Sequence, residues 1–449
     1  MKVIVVGNGG REHAIAWKLS QSSSVEEVIC VPGNGGTAFE HKCRNVSFSD
    51  CPYLCGANGN EAYVKIALEN KCSLAVIGPE NPLAEGLADA FWDAGIPAVG
   101  AKHDAAQLEA SKNRAKEFMH THGVACAKSR TFTSKDEALA YIHEQGAPIV
   151  IKADGLAAGK GVVVAKTEQE AANAIEELMS GSLAGDAGKK LVIEEYLRGT
   201  EISILAAVCV TPELAGQGKA CIVPFVSARD HKRLCDGAKG PNTGGMGAVA
   251  PVSDVTDEIT AQFKSTVLEP TLKGLIAENY DYRGFIFFGL MLTKDGPKCL
   301  EYNVRLGDPE TQAVLPLMDC DFAALCTSIA DGTLHSFNLN WKNGFVVAPV
   351  AVSGGYPRSY KKGCGISIDE KRMQESGAKL FIAGAMENRR HNSGGEKLVT
   401  SGGRVLACSA HGDTFDDAWQ KAYRAMDCIQ FDAMFYRKDI GLPGAAESS

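Results

Sequence analysis

The run IVIKADGLAAGKGVVVAK, residues 149–166, carries the residue types best suited to hold a polyphosphate. Ile149–Ile151 and Val162–Val164 are short β-branched runs, and the DGLAAGKG between them combines three glycines with a lysine. A glycine-rich turn joining two strands can lay backbone N–H groups over phosphate oxygens. Lys152 on the first strand is expected to point at phosphate, with Gly155, Gly159, Lys160 and Gly161 forming a lid. The spacing excludes a Walker A loop. Only three residues separate Gly155 from Gly159, Gly161 stands where Ser or Thr is needed, and a strand follows instead of a helix. An ordinary Gly/Ala hairpin is the plain alternative.

Four other constellations could do chemistry. Glu301 and Asn303 are two apart on a predicted strand and so share a face; one carboxylate and one amide oxygen suit Mg²⁺ held also by phosphates. Arg305 falls on the same face if the strand persists, where it would neutralise charge on a transferring phosphoryl group. Glu194, Glu195, Tyr196 and Leu197, followed by Glu201, could form a hinge whose backbone meets an adenine edge while a carboxylate takes ribose hydroxyls. The loop GNGGREHA, residues 7–14, opens a helix whose first N–H groups can receive a phosphate, with Gly9, Gly10, Arg11 and Glu12 around it. Glu12 replaces the third glycine of a dinucleotide fingerprint, which argues against a nicotinamide cofactor, and a lone His13 reads as structural. Residues 228–251 concentrate Asp230, His231, Lys232 and Arg233 before a glycine loop of Gly244, Gly245, Met246 and Gly247. No Ser or Cys nucleophile with an associated base is evident, nor is an HExxH or EF-hand pattern.

These groups need a frame. KVIVV (2–6), VEEVICVPG (25–33), SLAVIGPE (73–80) and IPAVG (96–100) read as strands alternating with helices, which predicts a doubly wound parallel sheet. Residues 82–95 read as one helix, and 105–123 as another ending at Gly123. Beyond about residue 107 the pattern becomes α+β. A strand hairpin spans 190–210, turning at Arg198-Gly199-Thr200, and a second spans 284–310, turning at Asp295-Gly296. A helix carrying Leu315, Met318, Phe322 and Leu325 follows, then a mixed α/β unit with a turn at Asn392–Gly395.

With 449 residues, 45 % hydrophobic and 22 % charged, the chain has the composition of a multidomain globular protein. A net charge of −8 gives no nucleic-acid footprint, so an anionic ligand must be held by local loops and helix ends. Fifteen cysteines without a CxxC pair read as reduced and mostly core-filling, and Cys51 with Cys55 lacks the partner pair of a zinc site. No apolar run approaches a membrane span or a signal-peptide core. A cytoplasmic location is the expectation.

In their order along the chain these parts resemble the ATP-grasp superfamily and, within it, the glycinamide ribonucleotide synthetase family. The matching strings include GNGGREHA, VIGPENPLAEG (76–86), QLEASK (107–112), VIKADGLAAGKGV (150–162), VIEEYLRGTE (192–201), DHKR (230–233), GPNTGGMGA (240–248), EYNVRLGDPETQ (301–312), GGRVL (402–406) and FYRKDIG (435–441). The resemblance implies a pre-ATP-grasp α/β domain over 1–104, an ATP-grasp domain over 105–328 with a lid subdomain over about 124–196, and a mixed C-terminal domain over 329–449. It implies ligation of glycine to 5-phosphoribosylamine through glycyl phosphate in purine biosynthesis, with ATP and Mg²⁺ or Mn²⁺, in a monofunctional monomer or weak homodimer. Lys112 and Lys152 then match the phosphate lysines, residues 155–161 the lid, Glu194–Leu197 the adenine hinge and Glu201 the ribose carboxylate. Glu301 and Asn303 match the metal ligands, Arg305 the transition-state residue and residues 7–14 the phosphoribosylamine phosphate site. Asp230, Lys232 and residues 244–247 are expected near glycine and the amine. Two features depart from the pattern: a long segment 51–60, and Pro349 inside a strand. A biotin-carboxylase-like ligase, a catalytically dead nucleotide-binding regulator and a Rossmann oxidoreductase are the rivals. DHKR with PNTGGMG, the intact Lys152, Glu301, Asn303 and Arg305, and Glu12 argue against them in turn.

Overall fold

The computed structural model describes residues 1–51, 54, 59–156, 161–181, 185–388 and 396–445. The N-terminal Val/Ile runs form parallel strands. Lys2–Gly7 lies between Glu27–Pro32 and Leu74–Ile77, with Cys43–Asn45 and Ala98–Ala101 outside them, every pairing parallel. Ile4 and Val6 pack with Ile66, Leu87 and Phe91 on one face, while Val3 and Val5 pack with Ile15 and Leu19 on the other. Burial on both faces is why these strands are continuously apolar rather than alternating.

The sheet then runs on through the rest of the molecule. Ala98–Ala101 pairs antiparallel with Tyr282–Thr293, which carries Gly296–Asn303 and pairs along its length with Thr200–Val210. Cys221–Asp230, Gly247–Ala250, Phe345–Val352, Arg404–Gly412 and Lys379–Ile382 follow in order, completing one 13-stranded sheet. Segments far apart in sequence are thereby fixed on one hydrogen-bonded ladder. A separate four-stranded antiparallel sheet, ordered Ser129–Phe132, Leu191–Glu195, Ile149–Ala153, Val162–Ala165, has its own core of Phe132, Ile142, Ile151, Ile175 and Ile193. Its two helices, Lys135–Gln145 and Glu168–Met179, are capped by Ser134 and Thr167 hydroxyls.

Several sequence expectations are corrected. The segment 190–210 is not a hairpin: Leu191–Glu195 pairs with Ser129–Phe132 and Ile149–Ala153, whereas Thr200–Val210 belongs to the large sheet. The helix expected over 82–95 is two helices, Glu80–Ala84 and Leu87–Asp93, broken at Gly86 with φ 81°. The helix expected over 105–123 breaks at Ser111, whose extended backbone ends His103–Ala110 and caps Lys112–Thr121. The helix expected after 310 is likewise two, Glu310–Leu317 and Phe322–Asp331. The hairpin at 282–303 does form, but Thr293 pairs with Gly296, so its turn is Lys294-Asp295. Pro349 sits within Phe345–Val352, paired with Gly247 on one side, at a gap in the register with Arg404–Gly412 on the other. Most of 51–60, Gly159, Lys160 and the expected turn at 392–395 lie outside the described residues. The described cysteines are free thiols, and no helix among the described residues is long and apolar enough to cross a membrane.

Candidate active site

Lys152 stands on the inner face of Ile149–Ala153 and is 7 % exposed. Its Nζ lies 2.9 Å from Glu194 Oε1, and Lys116 Nζ lies 3.2 Å from Glu194 Oε2. In this structure Lys152 is seated on Glu194. Burial works against the charge on Glu194, but the two ammonium groups outweigh it and hold its carboxyl below the usual carboxylate range. Burial also works against Lys152, and Glu194 with Glu301 more than restores its charge. Lys112 Nζ donates to Gly155 O at 2.8 Å, and Ser111 Oγ donates to Asp154 Oδ1 at 2.9 Å, so the described base of the glycine turn is fastened to the 111–112 helix start.

The expected hinge splits in two. Glu194 and Glu195 are strand residues paired on both edges, with Val150 and Ile149 opposite them on one side and Glu195 N–H bonded to Lys128 O on the other. Only Tyr196 and Leu197 leave the ladder. Leu197 packs with Ala127, Met291 and Leu300, an apolar floor beside the lysines. Glu201 is ion-paired with Lys232.

At the end of Gly296–Asn303, Glu301 and Asn303 are on one side of the strand. Burial opposes ionisation of Glu301, yet Lys232, Lys152, Lys112 and Arg305 together hold its carboxyl below the ordinary range through space, without a hydrogen bond to it. A charged carboxylate ringed by distant cations is ready for a ligand that brings both a cation and anionic oxygens. Among the described residues no group of three or more His, Cys, Asp or Glu stands close enough together to hold a metal ion. Arg305 lies beyond the strand, which ends at Asn303; its expected place on the strand face is corrected. Its Nη2 bonds Asn303 Oδ1 at 3.1 Å and Glu109 Oε1 at 2.8 Å, with Glu80 3.6 Å from Nε.

The 7–14 loop meets this strand end. Glu12 Oε2 accepts the Gly9 N–H at 2.6 Å, and its Oε1 pairs with Arg11 Nε at 2.5 Å. Glu12 thus fills the space left by missing side chains: a Cβ on Gly7 would stand 2.5 Å from its Cγ, and one on Gly78 2.1 Å from its Oε1. Arg11 also donates to Leu306 O at 3.2 Å. A Cβ on Gly9 would come within 3.3 Å of Asp308 Oδ2, which itself lies 3.1 Å from Arg404 Nη2. Arg404 also reaches the Gly244 carbonyl, and Gly244 N–H bonds the Tyr356 hydroxyl at 2.9 Å. Asp230 Oδ1 is buried without a hydrogen-bond partner, and a Cβ on Gly245 would stand 2.6 Å from it. Burial and Glu310 push the Asp230 carboxyl well up. His13, by contrast, is structural: its Nδ1 accepts Ile382 N–H at 2.8 Å and its Nε2 faces Glu40 at 3.2 Å.

Contacts and through-space charge interactions therefore link residues of the 7–12, 112, 152, 201, 230–247 and 301–305 segments into one network. Sequence reasoning missed Glu80, Glu109, Lys116, Asp308 and Arg404. All but Lys116 lay inside strings already singled out, VIGPEN, QLEASK, GDPET and GGRVL, where each was a charge embedded in an apolar or glycine context.

Comparison with known proteins agrees with this geometry. Family models for phosphoribosylglycinamide synthetase match in series: the N domain over residues 1–109, the ATP-grasp (A) domain over 110–311 and the C domain over 346–443. The phosphoribosylamine–glycine ligase of Clostridium acetobutylicum is 46 % identical over 442 residues, 98 % of this chain and 99 % of that protein. The Allochromatium vinosum enzyme of the same name is 44 % identical over 443 residues, covering 98 % of each chain. The crystal structure of the Thermotoga maritima phosphoribosylamine–glycine ligase superposes with a TM-score of 0.80 at 33 % identity, covering 98 % of this chain and 100 % of that one. A biotin carboxylase domain from Hydrogenobacter thermophilus shares the fold alone, at TM-score 0.68 and 16 % identity over 97 % of this chain and 91 % of that one.

Proposed function

Because this chain belongs to the phosphoribosylglycinamide synthetase family, we propose that it joins glycine to 5-phosphoribosylamine with ATP, giving glycinamide ribonucleotide, ADP and phosphate. The reading rests most on one observation: Glu301 and Asn303 share one side of the Gly296–Asn303 strand, and among the described residues no hydrogen bond or ion pair occupies the Glu301 carboxylate, whose charge Lys232, Lys152, Lys112 and Arg305 favour through space.

The terminal phosphoryl group of ATP passes to a carboxylate oxygen of glycine, and ADP leaves. The nitrogen of phosphoribosylamine then attacks the acyl carbon, the bond from that carbon to the phosphate oxygen breaks, and the nitrogen loses a proton. Both steps call for alignment and charge neutralisation rather than a protein nucleophile. Lys112, Lys152 and the lid residues Gly155, Gly159, Lys160 and Gly161 would take the phosphates, and Arg305 would balance charge on the group in flight. Glu301 and Asn303 would hold a divalent cation, Mg²⁺ in the first instance and Mn²⁺ as its substitute, which neutralises the bridging phosphate oxygens. The adenine would rest on Leu197 and meet the backbone of Tyr196 and Leu197, with Glu201 turning to the ribose. Glu194 would hold Lys152 in place. The start of the Gly10–Ser20 helix, with Arg11 and Arg404, would receive the phosphate of phosphoribosylamine. Asp230, Lys232 and the 244–247 loop would border glycine and the amine. The substrates are small and water-soluble, and we assign the enzyme to the cytoplasm as a monomer or weak homodimer.

Glycine labelled with heavy oxygen in its carboxylate tests the reaction. An acyl phosphate transfers one labelled oxygen to the inorganic phosphate released. Phosphate without label would remove glycyl phosphate from the scheme.

A further inference from the structure

The cluster Asp230-His231-Lys232-Arg233 looks like one charged patch in sequence, but the structure divides it. Lys232 reaches Glu201 and influences Glu301, and Asp230 lies under Gly245. The His231 ring and the Arg233 backbone carbonyl meet the C-terminal segment Arg437–Gly441, while the Arg233 guanidinium donates to Gly240 O at 2.9 Å. Arg437 is 0 % exposed, one of the few charged side chains so enclosed. Its guanidinium grips Asp439 at 2.8 Å through both Nε and Nη2 and donates to the carbonyls of Arg233 at 3.1 Å and Ala445 at 2.8 Å.

The same short segment makes three more bonds to the 230–247 loop. Asp439 Oδ2 accepts Gly237 N–H at 2.7 Å, Lys438 N–H donates to Asp236 Oδ1 at 2.8 Å, and Gly441 N–H donates to His231 Nε2 at 3.0 Å. Because Nε2 accepts, Nδ1 carries the imidazole proton and donates to Gly247 O at 3.2 Å. His231 thus joins the two ends of the loop to the C-terminal segment. Burial, and then the Arg437 charge, keep it neutral down to about 4, so both roles persist at working pH. Ile440, fully buried, packs with Met246 and Val249, and the Tyr423 hydroxyl ties the segment to the Phe415–Met426 helix by donating to Arg437 O at 2.7 Å.

We infer that Arg437 and His231 are positioning residues for the acceptor half of the reaction: the C-terminal segment 437–441 sets the backbone of residues 230–247, and so the places of Asp230, Lys232 and the Gly244–Gly247 turn. This rests on the ligase reading above. The bonds fall on His231 and Arg233, either side of Lys232, whose side chain is ion-paired with Glu201 and whose carbonyl accepts from Thr243 at 2.8 Å. The latch bears on the acceptor side of the cleft; the lysines on the nucleotide side, Lys112 and Lys152, are fastened by other segments.

The test compares the full chain with Arg437→Lys, which keeps the charge but loses the two-pronged grip, and with Asp236→Ala, an exposed residue whose loss leaves the core intact. Steady-state kinetics separate KM for ATP, glycine and phosphoribosylamine, and amide exchange follows peptides across 231–247. Displacement of the loop by even a fraction of an ångström predicts kcat/KM for both acceptors down by roughly 30-fold in Arg437→Lys, and by about fivefold in Asp236→Ala for one hydrogen bond. KM for ATP should change by less than about threefold in both, since only Lys232, through Glu201, carries the loop's position to the nucleotide side. Exchange across 231–247 should rise in both variants. Equal losses for ATP and acceptors, or unchanged acceptor kinetics with a loosened loop, would overturn the positioning role. A parent enzyme that forms no product with glycine and phosphoribosylamine would instead overturn the ligase reading, and the exchange comparison would still decide whether the latch holds the loop.

Discussion

Replacing Glu194 by Gln strips the shared counter-ion from Lys116 and Lys152. The contacts are 2.9 and 3.2 Å, and Glu194 is 2 % exposed. At an effective dielectric constant of about 20, each contact is worth roughly 5 kcal/mol before solvation is counted. Taking the carboxylate out of water costs several kcal/mol, and breaking such a buried group by removing one partner nets about 3–5 kcal/mol of destabilisation. The loss should be local, because Leu191–Glu195 and Ile149–Ala153 belong to a sheet with its own core. A multidomain chain has no single unfolding free energy, so native-state amide exchange of these two strands is the proper assay. The loss converts to exchange faster by roughly a hundred- to a few thousandfold, up to the limit set by opening of the whole unit. Lys116→Met should cost less than Glu194→Gln, because Glu194 keeps Lys152. Exchange in Glu194→Gln within about tenfold of the parent, or a larger effect from Lys116→Met, would refute the view that Glu194 neutralises both lysines.

Glu301→Ala should reduce metal-dependent turnover by roughly 10³-fold or more, as expected when a group that anchors transition-state charge is lost, while circular dichroism stays unchanged; undiminished turnover would end its metal role. Glu40, shielded by burial yet held at about 2 by His13 and Lys379, adds stability that is present above its ordinary value of 4.5 and lost as pH falls toward 2. Glu40→Gln should therefore cost about 3 kcal/mol at pH 7 and almost nothing near pH 2, read from native-state amide exchange of Gly10–Ser20 and Lys379–Ile382 at the two pH values, each referred to its intrinsic exchange rate. Gly78→Ala puts a methyl group 2.1 Å from Glu12 Oε1 and must shift the carboxylate that Arg11 Nε holds through Oε1 and the Gly9 N–H through Oε2. A destabilisation of about 1–3 kcal/mol with a raised KM for phosphoribosylamine is expected, and an unaltered KM would separate Glu12 from that site.

Much of this molecule can be read from local pattern. The continuously apolar 3–6 run, the pairing of the 149–152 and 162–165 strands and the i, i+2 placement of Glu301 and Asn303 depend on residues close in sequence, and the structure has them as read. What could not be read depends on distant partners. Ser111 interrupts what looks like one helix because its hydroxyl is taken by Asp154. Leu191–Glu195 and Thr200–Val210 have the pattern of a hairpin but find better partners, at 129–132 and 149–153 for one and at 282–293 for the other. Nothing near Lys152 in sequence announces that it shares Glu194 with Lys116. Glu80 and Glu109 flank Arg305 only because the sheet continues from the N-terminal strands into the central ones at Ala98–Ala101.

ADP release by the purified chain with Mg²⁺ and ATP, measured as acceptors are varied, tests the central claim most directly. The account predicts ADP only when glycine and freshly prepared phosphoribosylamine are both present, with one glycinamide ribonucleotide formed for each ADP. ADP released with bicarbonate and not with glycine would contradict it.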